Sequence, residues 1–357
     1  MSFFRDDIDS LQQYVPGLQP EPGMSVVKLN TNENPYSPSP AAVAALKELK
    51  GEALRRYPDP LGREFREAAS EVLGFDPEWI LPGNGSDDLL TILVRAVTGP
   101  GRPVVYPTPT YVLYRTLAAI QKAPVIEVPY DDHFRLPTDD LVQARGALTF
   151  VANPNSPTGT SVSLAQLSAL AESLDGLLVI DEAYVAFANE NALDLVRHVN
   201  NVVVLRTLSK SHALAGLRLG FAIAHPTIIN TLIKVKDSYN VNAVAVRVGA
   251  AAIRDVEYTQ AIIGRITSSR AHLAKALESL DFKVFPSQAN FLLVRPPGVN
   301  ARHLYHRLTK AGILVRHFDE PPLDEMLRIT IGSDKEQAAL LDKLQPILES
   351  CPKTRDL

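Results

Sequence analysis

Leu177-Leu-Val-Ile-Asp181-Glu-Ala-Tyr184 is an apolar run that ends in two acids. The run has no polar face, so it suits a strand covered on both sides. Working outward, runs of the same kind occur at Val104–Tyr106, Val125–Val128 and Leu148–Ala152 before it. Val202–Arg206 and Leu219–Ala224 follow it. Amphipathic stretches such as Asp87–Val97, Leu164–Ser173 and Ala192–His198 are interspersed with them. Strand alternating with helix from about residue 80 to 235 predicts an α/β domain with a mostly parallel sheet. After Pro226 the pattern changes. A mostly helical stretch is expected from Thr227 to Leu280, interrupted near Asn240–Asn242. Strands at Lys283–Phe285, Asn290–Arg295, Ile313–Arg316 and Met326–Ile331, with helices near Ala301–Ala311 and Lys335–Leu348, predict a smaller α+β domain. Residues 1–35 are polar and Pro-rich, with one strand near Val26–Asn30. They read as an arm packing with the small domain and a partner subunit. The expected division is therefore an arm over 1–35, a large domain over 36–245 and a small domain over 246–357.

Composition narrows the function classes. The 357 residues carry a net charge of −4 with no basic block, so nucleic acid is not an expected partner. The first residues lack the basic and apolar regions of a signal peptide. No apolar run approaches the ~20 residues of a membrane span. The single cysteine, Cys351, has no partner for a disulfide and reads as a free thiol in a reducing cytoplasm.

Chemistry concentrates where the strands end. In Arg206-Thr-Leu-Ser209-Lys210-Ser-His-Ala-Leu-Ala-Gly-Leu-Arg218, a lysine sits among small and hydroxyl residues, eight positions before an arginine. Its amine can condense with an aldehyde, while Ser209 and Arg218 can hold a phosphate nearby. Alone, the segment also reads as a solvated loop. In Pro82-Gly-Asn-Gly85-Ser86-Asp87 the glycines permit close backbone approach, and free N–H groups at the helix start form an anion site. A Gly turn with an N-cap is the plain alternative. Tyr106-Pro-Thr-Pro-Thr-Tyr111 puts an aromatic past a strand end, free to lie on a flat ring or to fill the core. Asn153-Pro-Asn155-Ser156-Pro-Thr-Gly159 is a turn whose amides and hydroxyl can bond a phenolate. Asp181 can pair with a ring nitrogen and keep it protonated, and Tyr184 can reach a ring hydroxyl. Asp181-Glu182 also resembles a metal-binding strand end, but the chain has no G-x-x-x-x-G-K-[ST], so no metal is expected. Arg316 and Arg328 border small-domain strands and can bind carboxylates bidentately. An aldehyde, a phosphate, a phenolate and a ring nitrogen together describe pyridoxal phosphate. The candidates of the large domain share one placement, at the carboxyl ends of strands where open α/β sheets bind ligands.

Together these segments resemble the fold-type I pyridoxal-phosphate-dependent aminotransferases, and within them the histidinol-phosphate branch. The marks are Asn30-Thr-Asn32-Glu-Asn-Pro35, Arg56-Tyr57-Pro-Asp59, Gly83-to-Asp87, Asn153-to-Gly159, Asp181-to-Tyr184, Ser209-Lys210 with Arg218, and the arginines at 316 and 328. The resemblance spans nearly the whole chain. It implies a large cofactor domain with a mostly parallel sheet plus a smaller α+β domain. It implies that Lys210 carries the cofactor, Asp181 meets the ring nitrogen, Tyr111 stacks on the ring and Tyr184 bonds O3′. Gly85, Ser86, Ser209 and Arg218 would hold the phosphate, with Asp87 also in the cofactor site and Tyr57 reaching the phosphate from the other subunit of a homodimer. Tyr14, Asn32, Arg316 and Arg328 would bind the amino donor and 2-oxoglutarate. One position departs: the family places Asn directly before Pro-Thr-Gly, and here Ser156 stands there with Asn155 one residue earlier. The implied reaction moves an amino group from L-histidinol phosphate to 2-oxoglutarate in histidine biosynthesis. An aromatic amino acid aminotransferase or a threonine-phosphate decarboxylase would share these residues. A cofactor-binding regulator would need a DNA-binding domain, and the sequence has no pattern for one.

Overall fold

A computed structural model describes residues 3–9, 11, 17–21, 23 and 25–351. Its thirteen strands are β1 (Val27–Lys28), β2 (Ile80–Gly83), β3 (Val104–Thr108), β4 (Val125–Pro129), β5 (Leu148–Ala152), β6 (Leu177–Asp181), β7 (Val202–Thr207), β8 (Gly220–Ala224), β9 (Lys283–Val284), β10 (Phe291–Arg295), β11 (Ile313–Leu314), β12 (Arg316–His317) and β13 (Leu327–Thr330). Seven of them form the central sheet, in the order β2-β8-β7-β6-β5-β3-β4. Only β8 runs against its neighbours. The fold is α/β, as the alternation of strands and helices predicts. The strands read as unbroken Val/Ile/Leu because helices cover both faces of the sheet. On one face pack Ser86–Val97, Leu113–Ile120 and Pro226–Ile233. On the other lie Arg63–Leu73, Leu164–Ser173 and Ala243–Arg254.

Two features differ from the sequence expectation, each for a physical reason. Strand β2 was not anticipated, because Pro82 and Gly83 argue against a strand. It sits at the sheet edge, where a missing N–H is tolerated. The run Ile313–Arg316 is two strands rather than one. β11 pairs in parallel with β1, while β12 pairs antiparallel with β13.

The second core lies under the four-stranded antiparallel sheet β12-β13-β10-β9. Leu29, beside β1, is buried in that core, so the segment around β1 belongs with it. The helical stretch after Pro226 divides into Pro226–Ile233, Ala243–Arg254 and Val256–Glu278. Asn242 caps the second of these by accepting the Ala245 N–H at 2.8 Å. The expected boundary at 245/246 falls inside this second helix. Its buried side chains, Ala245, Val246 and Val248 among them, pack in the large-domain core against Arg63–Leu73. The change of core comes at Asp255, after which Ile262, Ile266 and Leu273 enter the second cluster. Among the described residues, no helix is long and apolar enough to cross a membrane.

Candidate active site

A cavity of about 270 Å3 opens at the carboxyl ends of β3, β5, β6 and β7, between the two cores. Parallel strands end on one side of a sheet, so the segments after them converge there. β3 leads to Thr110 and Tyr111, β5 to Pro154 and Ser156, β6 to Asp181 and Tyr184, and β7 to Thr207, Ser209 and Lys210. The small domain closes the cavity with Arg316, Phe318 and Arg328, and the β1 segment adds Asn30, Thr31 and Asn32.

Asp181 is 5% exposed and sits on the floor. Its Oδ2 accepts the Tyr114 hydroxyl at 2.8 Å, and Oδ1 accepts the Ala183 N–H at 3.2 Å. Burial lifts its carboxyl to about 6, and the Tyr114 bond opposes that rise. Lys210 lines the same cavity from the loop after β7. The ammonium donates to the Thr31 carbonyl at 3.2 Å and lies 5.9 Å from the centre of the Tyr184 ring. The Tyr184 hydroxyl accepts the Asn32 amide at 2.9 Å. Asn32 itself is locked. Its N–H donates to the Thr330 hydroxyl, which donates back to its Oδ1, and its carbonyl accepts from Asn290.

The Gly-Ser-Asp turn forms an anion cradle. Gly85 has φ +84, and a Cβ there would stand 2.7 Å from the Arg218 guanidinium. Gly220 has the same duty from below, since its Cβ would lie 2.6 Å from the Ser86 nitrogen. Ser86 opens the helix Ser86–Val97, so its N–H and the helix dipole face the cavity mouth. Arg218 adopts φ +55, rare for a side chain of this size, and pairs with Asp87 at 3.0 Å. Asp87 also accepts the Tyr111 hydroxyl at 3.2 Å. Ser209 Oγ accepts the Thr207 hydroxyl at 2.9 Å.

Arg316 and Arg328 stand directly opposite each other on β12 and β13. Like charges so placed repel unless anions or acceptors lie between or beside them. Arg328 donates to the Ser156 hydroxyl at 3.1 Å and to the Asn30 carbonyl at 3.0 Å. Its guanidinium also lies 5.2 Å from the Phe291 ring centre, and Arg316 lies 5.5 Å from that of Phe318.

Of the residues singled out from sequence, Ser86, Asp87, Tyr111, Ser156, Asp181, Tyr184, Ser209, Lys210, Arg218, Asn32, Arg316 and Arg328 line this one cavity. Gly85 is not in the lining but lies against the Arg218 guanidinium, which is. Asn155 does not line it. Its amide donates to the Pro109 carbonyl and the Thr158 hydroxyl, and its oxygen accepts from Thr110. Tyr57 is 81% exposed and stacks on Tyr239 at 4.5 Å, outside the cavity of its own chain. Tyr14 lies outside the described residues. Sequence reasoning missed Tyr114, Thr207 and Thr31. Tyr114 sits in an amphipathic helix with no local mark, and Thr31 contributes only a backbone carbonyl. Thr207, two residues before Ser209, was the one legible from spacing.

The sequence matches the aminotransferase class I and II family over residues 24–344. It is 52% identical to histidinol-phosphate aminotransferase 1 of Nostoc sp., over 98% of this chain and 99% of that one. It is 44% identical to a histidinol-phosphate aminotransferase of Citrifermentans bemidjiense, over 97% and 99%. In structure it is similar to the histidinol-phosphate aminotransferase of Sinorhizobium meliloti, determined in complex with pyridoxal-5'-phosphate. The TM-score is 0.90 at 28% identity, covering 98% of each chain.

Proposed function

The chain belongs to the class I and II aminotransferase family, and from that membership we propose that it transfers the amino group of L-histidinol phosphate to 2-oxoglutarate, giving imidazole-acetol phosphate and glutamate. It is an enzyme, an aminotransferase. The observation that carries the reading is one cavity holding a lysine amine, a buried carboxylate, a phosphate cradle and two arginines. On this reading it works in the cytoplasm on small metabolites, as a homodimer.

Pyridoxal phosphate fits the donor set. Asp181 is a buried carboxylate with one hydrogen-bond donor on each oxygen, so lone pairs remain for a protonated ring nitrogen. The absence of a Cβ at Gly85 lets the Arg218 guanidinium sit against the turn as an anion donor. When bound, the cofactor supplies an aldehyde that condenses with amines and a cationic ring that withdraws electron density from the donor's Cα.

The chain's own groups do the rest. Ser86, Ser209 and Arg218 bind the phosphate, and Asp87 holds Arg218 in place. Tyr111 packs against the ring face. Tyr184, fixed by Asn32, offers its hydroxyl to the ring oxygen. Ser156 lines the cavity while Asn155 is engaged locally, so Ser156 would be the contact from that turn. Asp181 keeps the ring nitrogen protonated. Lys210 would hold the cofactor, and its freed amine is placed to act as the base that takes the proton from the donor's Cα and the acid that gives it back on the cofactor side. Arg316 and Arg328 bind the acidic groups of both substrates in turn, so one arginine pair serves a phosphate in one half-reaction and a carboxylate in the other.

An amino-donor panel with 2-oxoglutarate, following glutamate, tests the reading. Histidinol phosphate should give the highest kcat/KM. Arg328→Ala should impair both histidinol phosphate and glutamate, by roughly 2–5 kcal/mol for a desolvated charge pair. Higher kcat/KM for phenylalanine or tyrosine would reassign the enzyme to aromatic transamination. Carbon dioxide release without glutamate would make it a decarboxylase.

A further inference from the structure

We infer that Tyr114 is a positioning residue for Asp181: its hydroxyl, donating to Oδ2, holds the carboxylate ionised and aimed into the cavity. The inference rests on the reading that Asp181 receives the cofactor's ring nitrogen.

Tyr114 belongs to the helix Leu113–Ile120 and is completely buried. Three rings clamp it. Phe150 of β5 lies parallel to it at 4.5 Å and 5°, Tyr111 meets it edge-on at 5.8 Å, and Tyr106 is tilted at 5.8 Å. The phenol is therefore placed by packing, and its hydroxyl arrives 2.8 Å from Asp181 Oδ2 already oriented. A buried hydroxyl without an acceptor would be costly, so the pair is mutually required. Burial also holds the phenol far above its ordinary range, so it stays a neutral donor at every working pH. A donor that never ionises favours the charged form of its acceptor.

That direction matters because burial and the neighbouring carboxylates work against the charge of Asp181. Burial is the largest influence, and the carboxylates of Asp87 and Glu182 add to it. The Ala183 N–H, at 3.2 Å, helps Tyr114. Lys210, Tyr111 and Tyr184 face the same cavity from the loops after β7, β3 and β6. With one donor on each oxygen, lone pairs remain for a ring N–H. Without the Tyr114 hydroxyl, Asp181 would take a proton more readily and lose its hold on a charged ring nitrogen. Binding of the phosphate and of the substrates' acidic groups, which uses other residues, would not change.

Tyr114→Phe removes the hydroxyl and keeps the ring. In the apo-protein, a titration of carboxyl-labelled aspartate followed by NMR, with the Asp181 signal assigned from Asp181→Asn, should move upward by about one pH unit. Fluorotyrosine at 114, a stronger donor of the same shape, should move it down. In the holoenzyme, Tyr114→Phe should lower kcat about tenfold with KM for the donor unchanged. Added to Asp181→Asn, it should do nothing more. An unmoved midpoint with either replacement overturns the inference, as does a Tyr114→Phe effect that persists undiminished in the Asp181→Asn background. If Asp181→Asn turns over like wild type while the midpoint still shifts, the hydrogen bond stands and the cofactor reading beneath it falls.

Discussion

Asp181 is an acid that the fold buries and supplies with two donors, and its protonation behaviour follows from that placement. Burial raises its carboxyl from 3.8 to about 6. In the apo-protein the native state then binds a proton between those values that the unfolded chain has released. Stability from this group is present below about pH 4 and is lost as pH rises through about 6. Two pH units correspond to about 3 kcal/mol. Denaturant unfolding of apo wild type and apo Asp181→Asn should show it: the difference in stability between them should change by that order from pH 4 to 7, with wild type losing ground. A difference that stays flat with pH would mean that Asp181 ionises normally. Other single residues resist reading from sequence. Asn155 and Ser156 are adjacent polar residues with equal claim to a ligand, and only the fold shows that the Asn155 amide is engaged by Pro109, Thr158 and Thr110. Tyr114 was invisible because its importance lies in meeting a side chain 67 positions away.

Among the elements, the start of the helix Ser86–Val97 is the piece whose geometry the chemistry needs most. Gly85 sits at φ +84 and ψ 168, a conformation essentially reserved for glycine. Gly85→Ala should cost about 1–3 kcal/mol of stability and push the Arg218 guanidinium from the cradle. The dissociation constant for pyridoxal phosphate should rise at least about tenfold, equivalent to some 1.4 kcal/mol. Unchanged cofactor affinity would show that the phosphate binds elsewhere. At this scale the sequence was a good guide. The central strands from β3 to β8 were legible because buried parallel strands leave unbroken apolar runs, as Leu177–Ile180 illustrates. What failed was local evidence at odds with tertiary context. Pro82 and Gly83 argue against β2, yet the sheet edge accepts them. The run through Val315 looks continuous, yet its two ends pair with β1 and with β13. Neither partner can be chosen from the run itself.

The cavity lies between the large sheet and the small-domain core, and residues from 17 to 328 meet there. The convergence of strand ends was legible because parallel topology dictates it. The register that sets Arg316 opposite Arg328 was not, because it depends on a fold of the chain back through the Phe318 loop. Tyr57 stands on the exterior beside Tyr239, in keeping with a role in a second copy of the chain. Mixing Tyr57→Ala chains with Lys210→Ala chains should restore part of the activity, since one composite site of such a pair is intact. No recovery despite verified subunit exchange would mean that each chain builds its own site. The central claim is that Lys210 carries the cofactor covalently, and borohydride reduction followed by peptide mass analysis tests it most directly. The near-visible absorbance should disappear, and a single reduced pyridoxyl adduct should appear on Lys210. An adduct on another lysine, or none on a protein saturated with pyridoxal phosphate, would contradict that claim.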